Sequence, residues 1–298
     1  MAGEVLHAVS ALSEREEDIG RYYDEVIFDA EVRRLKEFSP AEYAITVRHL
    51  RRWIRDATTV IEVGVGGGLY SEALARQGHK LCLVDVSAKL LDAAVERLRA
   101  RGLEKQVVRV ERVSATNLDG FQDGAVGAVV MLGPLYHLLT PGERRRAVGE
   151  AERVLKPSGI FFASGINRLA YLRDLFRESP EYILARRDFI GQFLRDGNLN
   201  PEIAPPIGHA HLTTVEEFRG LFVDAFKEMA LVGVEAFSSP WQLKLNELSA
   251  AQADAWLELI ERAETLMPDA LGMADHFLYV GEKTTALRRT VATTRKTE

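Results

Sequence analysis

The chain has 298 residues, of which 47% are hydrophobic and 28% are charged, and its net charge is −6. It is long enough to bury the core of one enlarged domain, and its acidic balance argues against a broad surface for nucleic-acid phosphates. A single cysteine, Cys82, excludes a disulfide framework and favours a reducing compartment. No window approaches the ~18 consecutive apolar residues of a membrane span, and no basic segment precedes an apolar leader. We therefore expect a cytoplasmic protein with a small-molecule partner, no nucleic acid and no membrane contact, and we leave a homodimer open.

The first predicted unit is an N-terminal helical cap over residues 1–57. Apolar residues between Ile19 and Ile54 recur at three- and four-residue spacing, which is typical of amphipathic helices. Tyr22 and Tyr23 are adjacent, so they cannot both face inward on a helix. After Thr59 strands and helices alternate, which predicts a parallel sheet. The predicted strands of this part cover residues 58–65, 80–86, 107–113, 125–132 and 159–166.

The main predicted domain covers residues 58–283, and two helical inserts interrupt its second half. The first insert, residues 167–212, is rich in aromatic residues and is expected to form a lid; the second covers residues 238–274. Between them, Thr214 and Glu217 form a capping box that opens a helix. Strands are predicted over Met229–Phe237 and over residues 276–283. The polar tail, residues 284–298, is expected to be disordered.

A glycine-rich turn follows the first predicted strand, in the run VIEVGVGGG from Val60 to Gly68. Glycine lets a ligand approach the backbone where a Cβ would clash, and the next helix offers free N–H groups. A dinucleotide site needs glycine at the sixth position of its pattern, where this chain has Leu69. The register that fits is Glu-x-Gly-x-Gly-x-Gly, formed by Glu62, Gly64, Gly66 and Gly68.

An acidic residue ends the second predicted strand. Asp85 lies 23 residues after Glu62, and its carboxylate can accept charge-assisted hydrogen bonds from both hydroxyls of a ribose. The spacing by itself also fits a NAD enzyme. The turn and Asp85 together predict a nucleoside-type cofactor.

The glycine turn resembles motif I of the class I S-adenosylmethionine-dependent methyltransferases. The run LGPLYHL, Leu132 to Leu138, resembles the fourth-strand motif of a subgroup that methylates small molecules in bacterial natural-product and secondary metabolism. The resemblance implies an α/β, Rossmann-like fold: a seven-stranded sheet with helices on both faces and a closing antiparallel hairpin. It also implies S-adenosyl-L-methionine as cofactor.

By the same resemblance, the cofactor is expected to contact the turn and residues after the neighbouring strands. These residues are Glu62, Gly64, Gly66, Gly68, Asp85, Val86, Ser114, Ala115, Thr116, Leu132 and, from the N-terminal cap, Tyr23. Ser114 stands where the family commonly has an aspartate for the adenine amine, so Ser114, Thr116 or Asn117 is expected to substitute for it. Gly127 stands where another aspartate is usual, just before the fourth strand.

Five residues are candidates for catalysis, namely His137, His209, His211, Tyr22 and Tyr23. His137 follows the fourth strand, at the edge where α/β sheets bind ligands, and can take a proton from an acceptor. His209 and His211, two apart in an extended segment, are expected to point the same way, one of them toward the acceptor. No cysteine or carboxylate accompanies them at ligand spacing, so we expect no metal.

The expected function is methyl transfer to a small molecule by in-line displacement, assisted by histidine or tyrosine. The aromatic residues of the lid favour a planar acceptor, aromatic or heteroaromatic such as an indole, methylated at C, N or O. Plain helix packing is the other reading of those aromatic residues. The rival functions are a non-catalytic cofactor-binding or regulatory relative and an NAD-dependent oxidoreductase.

Overall fold

The computed structural model of the chain describes residues 12–199 and 209–284. The predicted tail beyond Thr284, most of the turn-rich end of the first insert and the first eleven residues lie outside the described residues. The strands, in chain order, are β1 (Thr59–Val63), β2 (Lys80–Asp85), β3 (Val107–Arg112), β4 (Val126–Met131), β5 (Leu155–Ile166), β6 (Asn198–Leu199), β7 (Ala210–His211), β8 (Phe226–Gly233) and β9 (His276–Lys283).

Seven strands form one sheet in the order β3-β2-β1-β4-β5-β9-β8, and β6 pairs with β7 in a separate two-stranded sheet. The strands β1 to β5 run parallel, whereas β9 pairs antiparallel with both β5 and β8. The predicted seven-stranded sheet with a closing antiparallel hairpin is therefore confirmed. Its strand order reverses at β1, so the carboxyl ends of β1 and β4 border a crevice of the kind in which open α/β sheets bind ligands.

The helices are α1 (Glu14–Glu25), α2 (Phe28–Glu37), α3 (Pro40–Trp53), α4 (Leu69–Arg76), α5 (Ala88–Ala100), α6 (Pro141–Val154), α7 (Arg168–Glu178), α8 (Tyr182–Ala185), α9 (Arg187–Asp196), α10 (Val215–Gly220) and α11 (Ala250–Leu266). Short 3₁₀ helices lie at Glu104–Gln106, Pro134–His137, Ala236–Glu247 and Pro268–Met273. No helix among the described residues is both long and apolar enough to cross a membrane.

Helices cover both faces of the sheet because its strands carry apolar side chains on both sides. Two successive residues of β1 illustrate this. Val60 packs in one core with α3, α4, α5 and α11, while Ile61 packs in the other with α6 and α10. Such near-continuous apolar strands are typical of parallel sheets buried on both faces. Cys82 is buried in the second core.

Two predicted strands differ from the observed ones by three or more residues at an end. The strand predicted over Met229–Phe237 runs from Phe226 to Gly233, and the chain then enters a 3₁₀ helix at Ala236. Val234 and Ala236 are buried without being in a strand, so their apolar pattern resembles one. The fifth strand begins earlier than predicted, at Leu155, which pairs with Val126.

Candidate active site

A pocket lies at the carboxyl ends of β1, β2 and β4, beneath α1 and α2. The loops after these strands supply its floor, and the two N-terminal helices supply its roof. The residues predicted for the cofactor that line it are Tyr23, Gly64, Gly66, Asp85, Val86, Ser114, Ala115 and Leu132; Glu62, Gly68 and Thr116 do not.

The glycine turn is shaped by close contacts on each side. Gly66 has a φ of +51°, and a Cβ built on it would lie 2.9 Å from Glu31 Oε1. Gly68 has a φ of +73°, and a Cβ there would lie 2.7 Å from the Cα of Ala94 in α5. Gly66 therefore keeps the pocket open, whereas Gly68 allows α4 and α5 to pack closely.

Glu62 lies under the turn instead of in the pocket. Its side chain is buried, and Ser71 Oγ of α4 donates to Glu62 Oε2 at 2.6 Å. This bond is the partner that a carboxylate inside an apolar strand requires. Glu62 thus joins β1 to α4, and any effect on a ligand would act through the turn.

Asp85 faces the pocket and is also held by the backbone. Its Oδ1 accepts the N–H of Ser87 at 2.9 Å. Burial raises the pKa of Asp85 to about 6, against backbone hydrogen bonds from Ser87, Gly66 and Val65. These bonds orient the carboxylate at the end of β2. Asp85 can therefore hold the backbone before α5 and face a ligand at the same time.

The segment after β3 contacts α1 through a side-chain hydrogen bond. Ser114 Oγ donates to Glu16 Oε1, and it accepts the N–H of Thr116 at 3.0 Å. Thr116 Oγ1 lies 2.8 Å from Ser114 Oγ but does not line the pocket. Gly127 is explained by packing, because a Cβ on it would overlap the side chain of Thr58.

A partly buried ion-pair network lies above the glycine turn. Arg34 binds Glu42 through two nitrogens, at 2.6 and 3.2 Å, and its Nε lies 3.3 Å from Glu31 Oε2. His276 Nδ1 lies 2.5 Å from Glu235 Oε1. The ligand atoms of Glu42, Glu235 and His276 lie within 4.8 Å of one another, but the Arg34 guanidinium and a protonated His276 already offset these carboxylates. The group is therefore an ion-pair network in this fold.

Sequence reasoning missed Glu31, Arg34 and Glu16 as pocket residues. Glu31 and Arg34 are one helical turn apart and share a face of α2 with the buried Leu35. That spacing was a usable signal, since a charged pair beside a buried apolar residue faces inward. Nothing in the sequence identified the part of the sheet against which this face packs.

His137 and Tyr23 meet at the other side of the turn. His137 Nδ1 lies 2.8 Å from His209 O, and since a carbonyl can only accept, Nδ1 carries the proton. Tyr23 Oη lies 2.9 Å from His137 Nε2 and therefore donates to its lone pair. Burial lowers the pKa of His137 to about 4, against the backbone bond to His209. His137 is thus a neutral imidazole with a fixed tautomer.

The other three catalytic candidates do not line this pocket. His209 contributes its carbonyl oxygen, as described, and His211 Nδ1 lies 2.9 Å from Asn198 Oδ1 across the β6–β7 pair. His211 lines a smaller cavity with Arg144. Tyr22 packs edge-on against Tyr23, their ring centroids 6.0 Å apart. Neither of the paired histidines lines this pocket, and the expectation that one of them faces the acceptor stays a prediction.

The aromatic residues of the first insert pack mainly on each other. Tyr171, Phe189 and Phe193 form a small separate core, and Phe176 is 81% exposed. They do not line the pocket, so they give no support to a planar acceptor, and plain helix packing accounts for Tyr171, Phe189 and Phe193. Aromatic rings reach the pocket from α1 and from the turn after β4 instead, as Tyr23 and Tyr136.

We predict that the free energy of unfolding falls as the pH rises from about 7 to about 9. Burial alone would lower the pKa of His276, but the carboxylates of Glu42 and Glu235 outweigh it and raise this pKa to about 9. Burial raises the pKa of Glu62 to about 8 despite the bond from Ser71. Both values exceed those of an unfolded chain, so the folded state binds more protons here. The stabilising contribution of His276 is complete below about pH 6.5, that of Glu62 below about pH 4.5, and each is lost through its raised pKa.

Urea unfolding across this pH range measures the effect. Each excess proton bound by the folded state changes the unfolding free energy by about 1.4 kcal/mol per pH unit. The variant His276→Gln removes one of these protons and should flatten the dependence. An unfolding free energy that stays constant in the wild type, or falls equally in the variant, would contradict the assignment.

Comparison with known proteins agrees with this geometry. A family described as a methyltransferase domain matches residues 61–163. The ubiquinone biosynthesis O-methyltransferase of Methylococcus capsulatus is 29% identical over 224 residues, which cover 69% of this chain and 90% of that protein. The enzyme of the same description from Xanthomonas oryzae pv. oryzae is 31% identical over 172 residues, covering 57% of this chain and 69% of its own.

The solved structures that resemble the chain show the same fold. One is the geranyl diphosphate C-methyltransferase of Streptomyces coelicolor A3(2) in complex with S-adenosyl-L-homocysteine. The two structures have a TM-score of 0.57 and 17% sequence identity, and the match covers 92% of this chain and 100% of the other. The chain belongs to the class I S-adenosylmethionine-dependent methyltransferases. Its cofactor is S-adenosyl-L-methionine, so the NAD alternative is not supported.

Proposed function

We propose that this methyltransferase transfers the methyl group of S-adenosylmethionine to the oxygen of an aromatic hydroxyl group, with His137 accepting the proton. The observation that carries the proposal is the unprotonated Nε2 of His137 beside the glycine turn, held there by the Nδ1–H bond to His209 O. A hydroxyl is a weak nucleophile that gains from a base, whereas a carbon or amine acceptor depends on one less.

The residues of the pocket fit the cofactor as well as the reaction. The glycine turn leaves space beside Gly66, Asp85 offers a carboxylate for the ribose hydroxyls, and Arg34 and Glu31 offer charges opposite to a carboxylate and an ammonium group. Such charges complement the zwitterionic methionine end of the cofactor. When bound, the cofactor supplies a methyl group on a positively charged sulfur.

The proposed step needs little from the protein beyond positioning and one proton transfer. As the acceptor oxygen bonds to the methyl carbon, the carbon–sulfur bond breaks and its electron pair stays on sulfur, leaving a neutral thioether. The hydroxyl proton passes to His137 Nε2, either directly after Tyr23 moves aside or through the Tyr23 hydroxyl. The helices α1 and α2 cover this site and so limit the access of water to it.

Two further features support an aromatic acceptor. The rings of Tyr23 and Tyr136 lie edge-on to His137, with centroids 5.5 and 4.8 Å from its ring centroid, and such a group of rings can pack against a planar molecule. The curated relatives are described as O-methyltransferases, which favours oxygen over the carbon or nitrogen of an indole. A small-molecule acceptor also fits a pocket covered by two helices.

The test is methylation of matched acceptors that differ in one atom. A catechol, the corresponding aromatic diamine and an indole are each incubated with S-adenosylmethionine, and the products are weighed by mass spectrometry. We expect the catechol to gain one methyl group and the other two to remain unchanged. Methylation of the diamine or the indole alone would overturn the choice of oxygen, and no methylation of any of them would overturn the aromatic acceptor.

A further inference from the structure

The pocket has three chemically distinct parts. The glycine turn and the roof residues Glu31 and Arg34 form one end, and Asp85 lies in the middle. The far end is lined by apolar side chains, namely Ile19, Val86, Leu90, Val113 and the methyl group of Ala115. Since an acidic residue ending the second strand binds the ribose in nucleotide-binding sheets, the far end receives the base.

Two polar side chains line this far end among the described residues, Glu16 and Ser114. Ser114 follows β3, whereas Glu16 comes from α1, which crosses over the ends of β2 and β3. A carboxylate accepts hydrogen bonds and donates none, so Glu16 complements a base edge that carries an amine.

We propose that Glu16 recognises the adenine of the cofactor by accepting a hydrogen bond from the exocyclic amine of the adenine. The chain thereby supplies from its first helix a carboxylate that the pocket-lining residues after β3, Val113 to Ala115, lack. The inference depends on the cofactor and not on the acceptor proposed above.

The carboxylate of Glu16 is oriented by bonds that leave room for this one. Its Oε2 accepts the N–H and the hydroxyl of Ser13 at 2.9 and 2.7 Å, which completes the capping box of α1. Its Oε1 accepts the hydroxyl of Ser114. A carboxylate has about four lone-pair sites, so Oε1 retains one. Ser114 in turn accepts the N–H of Thr116, which directs its own proton to Glu16 and makes Ser114 a positioning residue.

Other contacts hold α1 over the site without Glu16. Arg112 binds Glu17 at 2.5 Å, and Asp24 accepts hydrogen bonds from Ser87 and from the Lys89 N–H. Gly20 lies so close to β2's end that a Cβ would be 2.8 Å from Val86 O. Replacing Glu16 should therefore change the recognition of the base more than the position of the helix.

The test compares two ligands that differ at the base edge, by calorimetric titration without any acceptor. S-adenosylhomocysteine carries adenine, and S-inosylhomocysteine carries hypoxanthine, in which an accepting oxygen replaces the amine. For Glu16→Gln we expect the affinity for the adenine ligand to fall about 10- to 100-fold, the loss of one charge-assisted bond. We expect the hypoxanthine ligand to bind the variant at least as well as it binds the wild type, because the amide can donate to its oxygen.

Matched variants separate recognition from structure. Glu17→Gln breaks a neighbouring contact of the same helix and should keep the wild-type preference for adenine. Ser114→Ala should reduce that preference less than Glu16→Gln does. If Glu16→Gln weakens both ligands equally, or if Glu17→Gln changes the preference as much, the proposal is overturned. Failure to methylate any acceptor would not affect this result.

Discussion

Replacing Gly66 by valine is expected to remove most of the binding of S-adenosylhomocysteine, with an affinity loss of about 100-fold or more. Gly66 has a φ of +51°, a left-handed conformation that a β-branched residue adopts at a cost of about 1–2 kcal/mol. Its new Cβ would also lie 2.9 Å from Glu31 Oε1, and the two Cγ atoms would fill the space beside the turn. Calorimetric titration measures the loss.

The matched control for this change is Gly78→Val. Gly78 has a φ of +87°, so valine there suffers comparable backbone strain, but nothing lies within 4 Å of its Cβ. It lies just before β2, at the amino ends of the parallel strands, whereas the pocket lies at their carboxyl ends. We expect this variant to lose stability and keep its affinity. If Gly66→Val binds the ligand as the wild type does, the turn is not the cofactor site.

Replacing His137 by alanine is expected to lower kcat by about 10²- to 10⁴-fold, the range for a lost general base. The affinity for S-adenosylhomocysteine should change by much less, because the charged groups expected to hold the cofactor, such as Asp85, remain. Since burial lowers the pKa of His137 to about 4, its Nε2 is free of a proton throughout the neutral range. In the wild type, protonation of His137 should therefore lower kcat only in acid. Methylation of the hydroxyl acceptor across the pH range measures kcat, and calorimetric titration measures the affinity for S-adenosylhomocysteine.

A second buried histidine provides the control for the loss of packing. His79 is buried, and burial also lowers its pKa. It lies just before β2, at the amino ends of the strands and away from the pocket, and its Nδ1 accepts the N–H of Thr58. His79→Ala should destabilise the fold and leave the kcat of the folded fraction unchanged. Equal losses of kcat in the two variants would make His137 a structural residue. Tyr23→Phe, which keeps the ring but not the hydroxyl, then tests whether the proton passes through Tyr23.

The sequence determined the elements whose signals are local. Apolar strands alternating with capped helices predicted the parallel sheet, and the turn from Gly64 to Gly68 with Asp85 predicted the nucleoside site, because these signals lie within one βαβ unit. The same local reasoning was wrong where buried residues lie outside a strand, as at Val234 and Ala236. It left two readings open for the aromatic residues of the first insert, since an aromatic pattern does not specify whether its partners are a ligand or each other.

The tertiary structure decided which distant residues meet, and the site depends on that. Glu16, Glu31 and Arg34 reach the pocket from α1 and α2, far in sequence from the turn they cover, and Tyr23 meets His137 across 114 positions. Such contacts follow from how helices dock on the ends of the sheet, which no spacing in the sequence encodes. His211 shows the converse, because its side chain contacts Asn198 and lines a separate cavity instead of this pocket. Local patterns therefore indicated the scaffold and the cofactor class, whereas long-range packing determined which charged and aromatic side chains line the pocket.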